Sequence, residues 1–297
     1  MLFGEHAVLH GKRALVCAAS ARLTATLSPR TDRRVTIESA LGRHETTLDA
    51  PAPSEPFRFV LASLAREAAT LPGGFDLRIE AGFPPTVGLG SSAAVTVASL
   101  AAFAAYAGRT PSREALVRIA RDVIRGVQGA GSGADAAASA FGGVVAYRAD
   151  PLAIRRIAQA PPVTLVYAGY KTPTPEVIRR VEASRAAMPA VFNAVYEAMN
   201  RVAEEATTAV EQANWTRVGA LMNVAQGLMD AIGVSDATLA GLVHALRADP
   251  AVLGAKISGS GLGDCVVALG RPARLDPAMK EIAVSVGTEG LVVETVA

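Results

Sequence analysis

Alternating and helix-spaced apolar positions divide the first part of the chain into strands and one helix. Arg13–Ser28 is rich in small apolar and β-branched residues and Arg33–Leu48 alternates, which predicts strands, the second with a hairpin turn around Gly42. Apolar residues recur at helical spacing over Phe59–Ala69, up to a Leu-Pro-Gly-Gly breaker. Phe75–Gly82 then alternates like another strand. This part of the chain is therefore predicted to mix strands with helix.

Helical spacing dominates most of the remaining chain. We predict helices from about Ser91 to Tyr106 and from Pro111 to about Val127. From Pro175 to about Leu246 nearly every residue fits a helical period, apart from three breaks. The breaks fall at Pro189, Asn214 and Gly233. Ala255–Gly270 then has the pattern of strand, glycine turn and strand, and the change in character near Pro161–Pro162 predicts a domain boundary there.

Composition narrows the class of protein. With 297 residues, 51% of them hydrophobic and 19% charged, the chain predicts a packed globular protein of one large domain or two lobes. Its net charge of +2 and scattered basic residues favour neither nucleic acid nor a membrane surface as the main partner. The sequence shows neither a membrane-spanning apolar run nor a signal-peptide pattern, so we expect a cytoplasmic protein. Cys17 and Cys265 are expected to be buried free thiols.

The stretch Pro84–Ala102, PPTVGLGSSAAVTVASLAA, combines a glycine loop with the start of a helix. Gly88 and Gly90 let the backbone approach a ligand closely, and a helix beginning at Ser91 adds unpaired N–H donors and the positive end of its dipole. Such a loop suits phosphate. The hydroxyls of Ser91 and Ser92 could bind phosphate or Mg²⁺, although Ser91 could equally be only the helix N-cap.

Two common nucleotide motifs do not fit this loop. A Walker A loop requires a lysine directly after its last glycine, and Ser91 follows Gly90. A dinucleotide fingerprint requires a strand leading into the loop and an acidic residue about 20 positions later, but two prolines precede this loop and Arg109 lies at that distance. The loop therefore predicts a phosphate site of another kind.

The chain has two further glycine-rich segments. Three such segments are harder to explain as ordinary turns than one. Gln128–Tyr147 contains Asp135 among glycines and alanines. This acid could cap the following helix, or it could act as a base that accepts a proton from a substrate hydroxyl. The third segment is Gly259–Gly263.

In this order, and over almost the whole chain, the three segments resemble the motifs of the GHMP small-molecule kinases. The resemblance is carried by PPTVGLGSSAAVTVASLAA, GSGADAAASAFGG and KISGSGLGDCVVALG. It implies an α+β fold with the GHMP kinase architecture. Residues 1–162 would form an N-terminal, ATP-binding lobe similar to ribosomal protein S5 domain 2, and residues 163–297 a ferredoxin-like C-terminal lobe, with the active site between them.

Within this family the chain most resembles the archaeal and bacterial mevalonate kinases. The similar segments are Leu2–Leu15, Gly169–Val181 and Leu221–Val243. The resemblance implies ATP and Mg²⁺ as cofactors and phosphorylation of the 5-hydroxyl of (R)-mevalonate in isoprenoid biosynthesis. A homodimer is the default expectation for such a chain.

The resemblance also implies roles for individual residues. Asp135 matches the catalytic base, and Ser92 matches the serine that binds Mg²⁺. The positions that match nucleotide-binding residues are Gly88, Leu89, Gly90, Ser91, Ser92, Gly259, Ser260 and Gly261. The positions that match substrate-binding residues are Glu5, His6, Ser132, Lys171 and Thr172.

Three positions depart from the mevalonate kinase pattern. The family motif A-P-G-K, whose lysine lies near the base, is not found before Leu2 in this sequence, so either the start was assigned too late or the protein works without that lysine. Ile124 stands where a glutamate binds Mg²⁺, and Asp264 stands where glycine is usual. The last two features resemble phosphomevalonate kinases.

These departures keep two alternatives open. One is a phosphomevalonate kinase or another GHMP kinase acting on a sugar or alcohol. The other, from a different class, is a GHMP-fold binding or regulatory protein with impaired catalysis.

Overall fold

The computed structural model describes residues 1–83, 89–274 and 279–295, which pack into two compact units. The first unit combines Met1–Ser20 with Gly142–Thr288, and the second combines Ala21–Phe141 with Glu289–Ala297. Packing thus groups the first twenty residues with the second half of the chain. The sequence-based division at residue 162 concerns family domains and stays a prediction.

Both units mix helices and strands. The described residues form the strands β1 (Arg13–Cys17), β2 (Leu23–Pro29), β3 (Arg34–Ser39), β4 (Gly42–Thr47), β5 (Phe75–Ala81), β6 (Val144–Ala149), β7 (Leu152–Ile157), β8 (Val163–Lys171), β9 (Gly254–Ser258), β10 (Gly263–Leu269) and β11 (Lys280–Ile282). The helices are α1 (Arg58–Glu67), α2 (Ser91–Tyr106), α3 (Arg113–Gln128), α4 (Ala134–Phe141), α5 (Thr174–Ala187), α6 (Pro189–Glu211), α7 (Trp215–Ala231) and α8 (Ala237–Arg247). Short 3-10 turns cover Ala7–His10 and Ala68–Thr70.

The second unit is built on a four-stranded sheet in the order β2-β5-β3-β4. Its outer strands run antiparallel to their neighbours, whereas the two inner strands β5 and β3 run parallel. Alternate inner-strand residues such as Val35, Ile37 and Leu77 share a core with Leu61 of α1 and Phe103 of α2. The period of two therefore buries one face of the sheet and fixes α2 upon it.

The first unit contains two antiparallel sheets, β1-β6-β7 and β11-β8-β10-β9. β10 is buried along its whole length, which fits the unbroken apolar run from Cys265 to Leu269. Val166 and Val266 share a core with Val181, Val243 and other helix residues. This packing fixes the ends of β8 and β9, which carry several residues of the predicted site.

Most predicted elements agree with the structure. The hairpin around Gly42 and the helices of the second half are confirmed. The single strand predicted for Arg13–Ser28 is wrong. One strand ends at Cys17 and the next begins at Leu23, and β1 and β2 belong to different sheets. The small residues between them carry no pattern that marks this change.

Two other structural expectations concern thiols and membranes. Both cysteines lie in the described part of the chain as thiols; Cys265 is buried as expected, but Cys17 is only half-buried. Among the described residues, no helix has the length and apolarity needed to cross a bilayer.

Candidate active site

The start of α2 is the first part of the candidate site. Gly90 occupies the N-cap in a left-handed conformation, with φ of 76°, and its carbonyl accepts a hydrogen bond of 3.0 Å from the Ala94 amide. Ser91 is therefore the first helical residue and not the N-cap. Because a glycine cap has no side chain to occupy the first amides of the helix, these donors stay available for an anion. Gly88, predicted to join them, lies outside the described residues.

Asp135 lies beside this helix start. A Cβ atom added to Gly90 would lie 3.6 Å from Cβ and 3.8 Å from Cγ of Asp135. The Asp135 side chain is exposed and belongs to the first turn of α4. The Ser132 hydroxyl accepts the Ala134 amide at 3.2 Å, so Ser132 takes part in capping this helix. The second unit thus brings an exposed carboxylate next to a helix start whose first amides have no side-chain cap.

The second unit offers oxygen ligands for Mg²⁺, though few of them. The hydroxyl of Ser92, in the first turn of α2, is a suitable hard donor. Ile124 is buried, and its Cγ2 lies 3.1 Å from where a Cβ atom added to Gly131 would be. Its side chain therefore packs against the Gly131 backbone. The part of the chain that the structure describes holds no cluster of three or more His, Cys, Asp or Glu side chains suited to a metal. The residues present fit a Mg²⁺ ion that keeps water and phosphate oxygens as its other ligands.

A cavity in the second unit was not predicted from the sequence. Its volume of about 500 Å³ lies within the usual range of small-molecule pockets. It is lined by the loop before α1, by α1 itself and by the end of α3. The lining residues with charged side chains are Glu55, Arg58, Arg66 and Asp122. Since these residues are separated in sequence and form no motif, only the folded chain reveals the cavity.

In the first unit, His6 is held against the third glycine loop. Its backbone φ of 58° lies in a region that residues with a side chain rarely adopt. The ring is buried, and Nε2 donates a hydrogen bond of 2.8 Å to the Ser260 carbonyl oxygen. Burial lowers the pKa of His6. The neutral ring therefore carries its proton on Nε2 and leaves Nδ1 as an acceptor.

Glu5 forms a buried ion pair that sequence reasoning missed. Its carboxylate accepts a hydrogen bond of 2.5 Å from Lys256 Nζ, and the side chains are only 3% and 0% exposed. Lys256 also donates to the carbonyl oxygen of Ile257. This ion pair ties the loop that carries Glu5 to β9. The contact of Glu5 with substrate stays a prediction. A lysine inside the apolar stretch before Gly259 was the available signal.

Thr172 and Lys171 fix the end of β8 to the same glycine loop. The Thr172 amide and hydroxyl both donate to the Leu262 carbonyl oxygen, at 3.3 and 2.7 Å. Lys171 Nζ lies 3.2 Å from Asp264 Oδ2. A Cβ at Gly261 would lie 2.4 Å from the Val234 carbonyl oxygen, so only glycine fits there. The first unit therefore assembles one set of predicted residues around the third loop.

The predicted site residues fall into two sets, one in each unit. The described members in the second unit are Leu89, Gly90, Ser91, Ser92, Ser132 and Asp135. Those in the first unit are Glu5, His6, Lys171, Thr172, Gly259, Ser260 and Gly261. Within each unit, residues distant in sequence come together. Glycine-rich turns with no shared role would not need to do so.

Comparison with known proteins gives consistent matches. Residues 57–143 match the family model of the GHMP kinases N terminal domain, and residues 206–283 match that of the GHMP kinases C terminal region. The mevalonate kinase of Aeropyrum pernix is 32% identical over 95% of this chain and 89% of its own length. That of Pyrococcus horikoshii is 32% identical over all of this chain and 96% of its own. The crystal structure of L. major mevalonate kinase in complex with R-mevalonate superposes with a TM-score of 0.73 at 26% identity, covering 92% of this chain and 85% of that one.

Proposed function

The chain belongs to the GHMP kinase family, and from this we propose that it is an ATP-dependent kinase that phosphorylates the 5-hydroxyl of (R)-mevalonate. The observation that carries the proposal is the exposed Asp135 carboxylate beside Gly90 at the start of α2. This arrangement supports a role for the carboxylate as proton acceptor, next to the first amides of α2 as hydrogen-bond donors to phosphate. The full-length mevalonate kinase relatives favour mevalonate over other alcohols.

The start of α2 is proposed to bind the phosphates of ATP. Its first amides and the positive end of the helix dipole favour the negative charge, and the backbone at Gly90 has no side chain that would keep a phosphate away. Ser91 and Ser92 add hydroxyls. Ser92 would also hold Mg²⁺, which neutralises charge on phosphate oxygens when it is bound.

Asp135 is proposed to act on the substrate hydroxyl. As the hydroxyl oxygen forms its bond to the γ-phosphorus, the bond from that phosphorus to the ADP oxygen breaks, and the hydroxyl proton passes to the Asp135 carboxylate. The products are ADP and a phosphate monoester. Because little covalent chemistry falls to the protein, positioning and electrostatics supply most of the rate.

The residues of the first unit are proposed to bind the substrate. His6 offers Nδ1 as an acceptor for a substrate hydroxyl, because Nε2 is engaged with Ser260. Thr172 holds the third loop through Leu262, and its oxygen keeps acceptor capacity. Substrate contacts of Ser132, a homodimeric assembly and a cytoplasmic location stay predictions from the sequence.

A substrate panel tests the proposed function. ADP release is measured with ATP and Mg²⁺ on mevalonate, phosphomevalonate, galactose and homoserine, with the product identified by mass spectrometry. We expect the highest kcat/KM for mevalonate and a product bearing one added phosphate. A higher kcat/KM for phosphomevalonate or a sugar would replace the proposed substrate. Nucleotide binding without ADP release on any of the four would favour the regulatory alternative.

A further inference from the structure

Asp264 has a backbone conformation that its side chain disfavours. Its φ is 70°, in the left-handed region where glycine is at ease, and Gly259, Gly261 and Gly263 nearby all have positive φ. The pairing of β10 with β8 shifts register between Gly263 and Cys265, where Asp264 alone stands opposite residues 168–170 of β8, so Asp264 lies opposite a β-bulge in β8. Bulges often redirect a side chain near a functional site. A glycine would fit this backbone without strain, so the presence of aspartate indicates that its carboxylate has a role.

The carboxylate of Asp264 is nearly enclosed and engages the end of β8. Its Oδ2 lies 3.2 Å from Lys171 Nζ, and its Oδ1 accepts from the Cys265 thiol at 3.5 Å. The side chain of Asp264 is 11% exposed, whereas that of Lys171 is 40% exposed. The pair is therefore anchored on the Asp264 side and open on the Lys171 side.

We propose that Asp264 is a positioning residue that fixes the Lys171 ammonium to receive the carboxylate of the substrate. This rests on the proposed function, in which Lys171 and Thr172 bind the substrate. An ammonium has three donors on a flexible four-carbon stem, and one bond to Asp264 selects one orientation of the stem while two donors remain for an acceptor. Preorganisation of this kind lowers the entropy lost when the substrate binds.

An alternative role for Asp264 makes the opposite prediction. If its charge merely neutralised Lys171, removing it would strengthen the attraction of Lys171 for an anionic substrate. KM for mevalonate would then fall. If Asp264 instead positions Lys171, KM rises when the carboxylate is lost. The direction of the change in KM therefore separates the two roles.

Steady-state kinetics of Asp264→Asn and Asp264→Gly test the proposal. We expect KM for mevalonate to rise about tenfold in both, the scale of one hydrogen bond to a charged group, with kcat nearly unchanged. Asp264→Gly suits the left-handed backbone, so its melting temperature should not fall, which separates positioning from folding. Lys171→Met should raise KM similarly, and adding Asp264→Asn to it should cause no further rise.

The neutral methyl amide of mevalonate identifies the group that Lys171 receives. It keeps the 5-hydroxyl but lacks the carboxylate, so KM for the amide should be higher than for mevalonate in the wild type and nearly unaffected by Asp264→Asn. An unchanged or lower KM for mevalonate in Asp264→Asn, with normal wild-type turnover, would overturn this inference alone. A wild-type enzyme inactive on mevalonate would overturn the proposed function, and this inference with it.

Discussion

Asp135→Asn is expected to lower kcat by about 10²- to 10⁴-fold, the usual contribution of a positioned acid or base. Asparagine has nearly the same shape but cannot accept the hydroxyl proton. The Asp135 side chain is exposed, and Ser132 takes part in capping α4, so the fold does not depend on this carboxylate. The urea midpoint should therefore stay close to that of the wild type. Turnover is measured by ADP release at saturating mevalonate and ATP.

Glu114→Gln is a matched control for this prediction. Glu114 is also an exposed acidic residue in the first turn of a helix in the second unit, α3. Its replacement changes the charge near a helix start without touching the site, so kcat should remain within about twofold, as for most surface changes. Wild-type-like turnover in Asp135→Asn would remove this residue as the base.

Lys256→Met is expected to destabilise the fold by about 3–5 kcal/mol, because it leaves the Glu5 carboxylate buried without its partner. Both side chains of the pair are almost fully enclosed, so water cannot replace the lost ammonium. The double variant Glu5→Gln, Lys256→Met removes both charges and should recover much of the loss. Urea unfolding of the three proteins measures the differences.

Lys12→Met tests whether burial causes the large loss of stability expected for Lys256→Met. Lys12 pairs with Glu197 at 2.5 Å, as close as the buried pair, but the two side chains are 32% and 43% exposed. Breaking an exposed pair costs about 0–1 kcal/mol. Equal effects of Lys12→Met and Lys256→Met, or a stable Lys256→Met, would contradict the role given to the buried pair.

The sequence was sufficient to predict the family and the helix that carries several of the candidate site residues. Each glycine loop alone is compatible with an ordinary turn, but three in the family's order predict a GHMP kinase, and the family is confirmed. The helix starting at Ser91 was also predictable, because a glycine loop directly precedes a run of helix-forming alanines. Local sequence patterns therefore specify the elements that carry the second unit's set of residues.

Long-range pairs could not be predicted in the same way. The contact of Glu5 with Lys256 joins residues 251 positions apart, and no periodicity reports such a distance. The sequence identifies Asp264 as a departure from the mevalonate kinase pattern, yet its partner Lys171 and the β8 bulge opposite it depend on how β8 pairs with β10. The sequence left open whether Ser91 is the N-cap, because serine is common there, and the structure places Gly90 in that role. Tertiary packing decides each of these cases.

Hydrogen–deuterium exchange with a non-hydrolysable ATP analogue and Mg²⁺ tests the central claim most directly, namely that the start of α2 binds the phosphates beside Asp135. We expect slower exchange of the amides in residues 89–95 and 132–136 when the analogue is bound, because phosphate accepts hydrogen bonds from the first amides of α2 and orders the adjacent turn. Binding of the analogue with protection elsewhere and unchanged exchange in both segments would contradict the account.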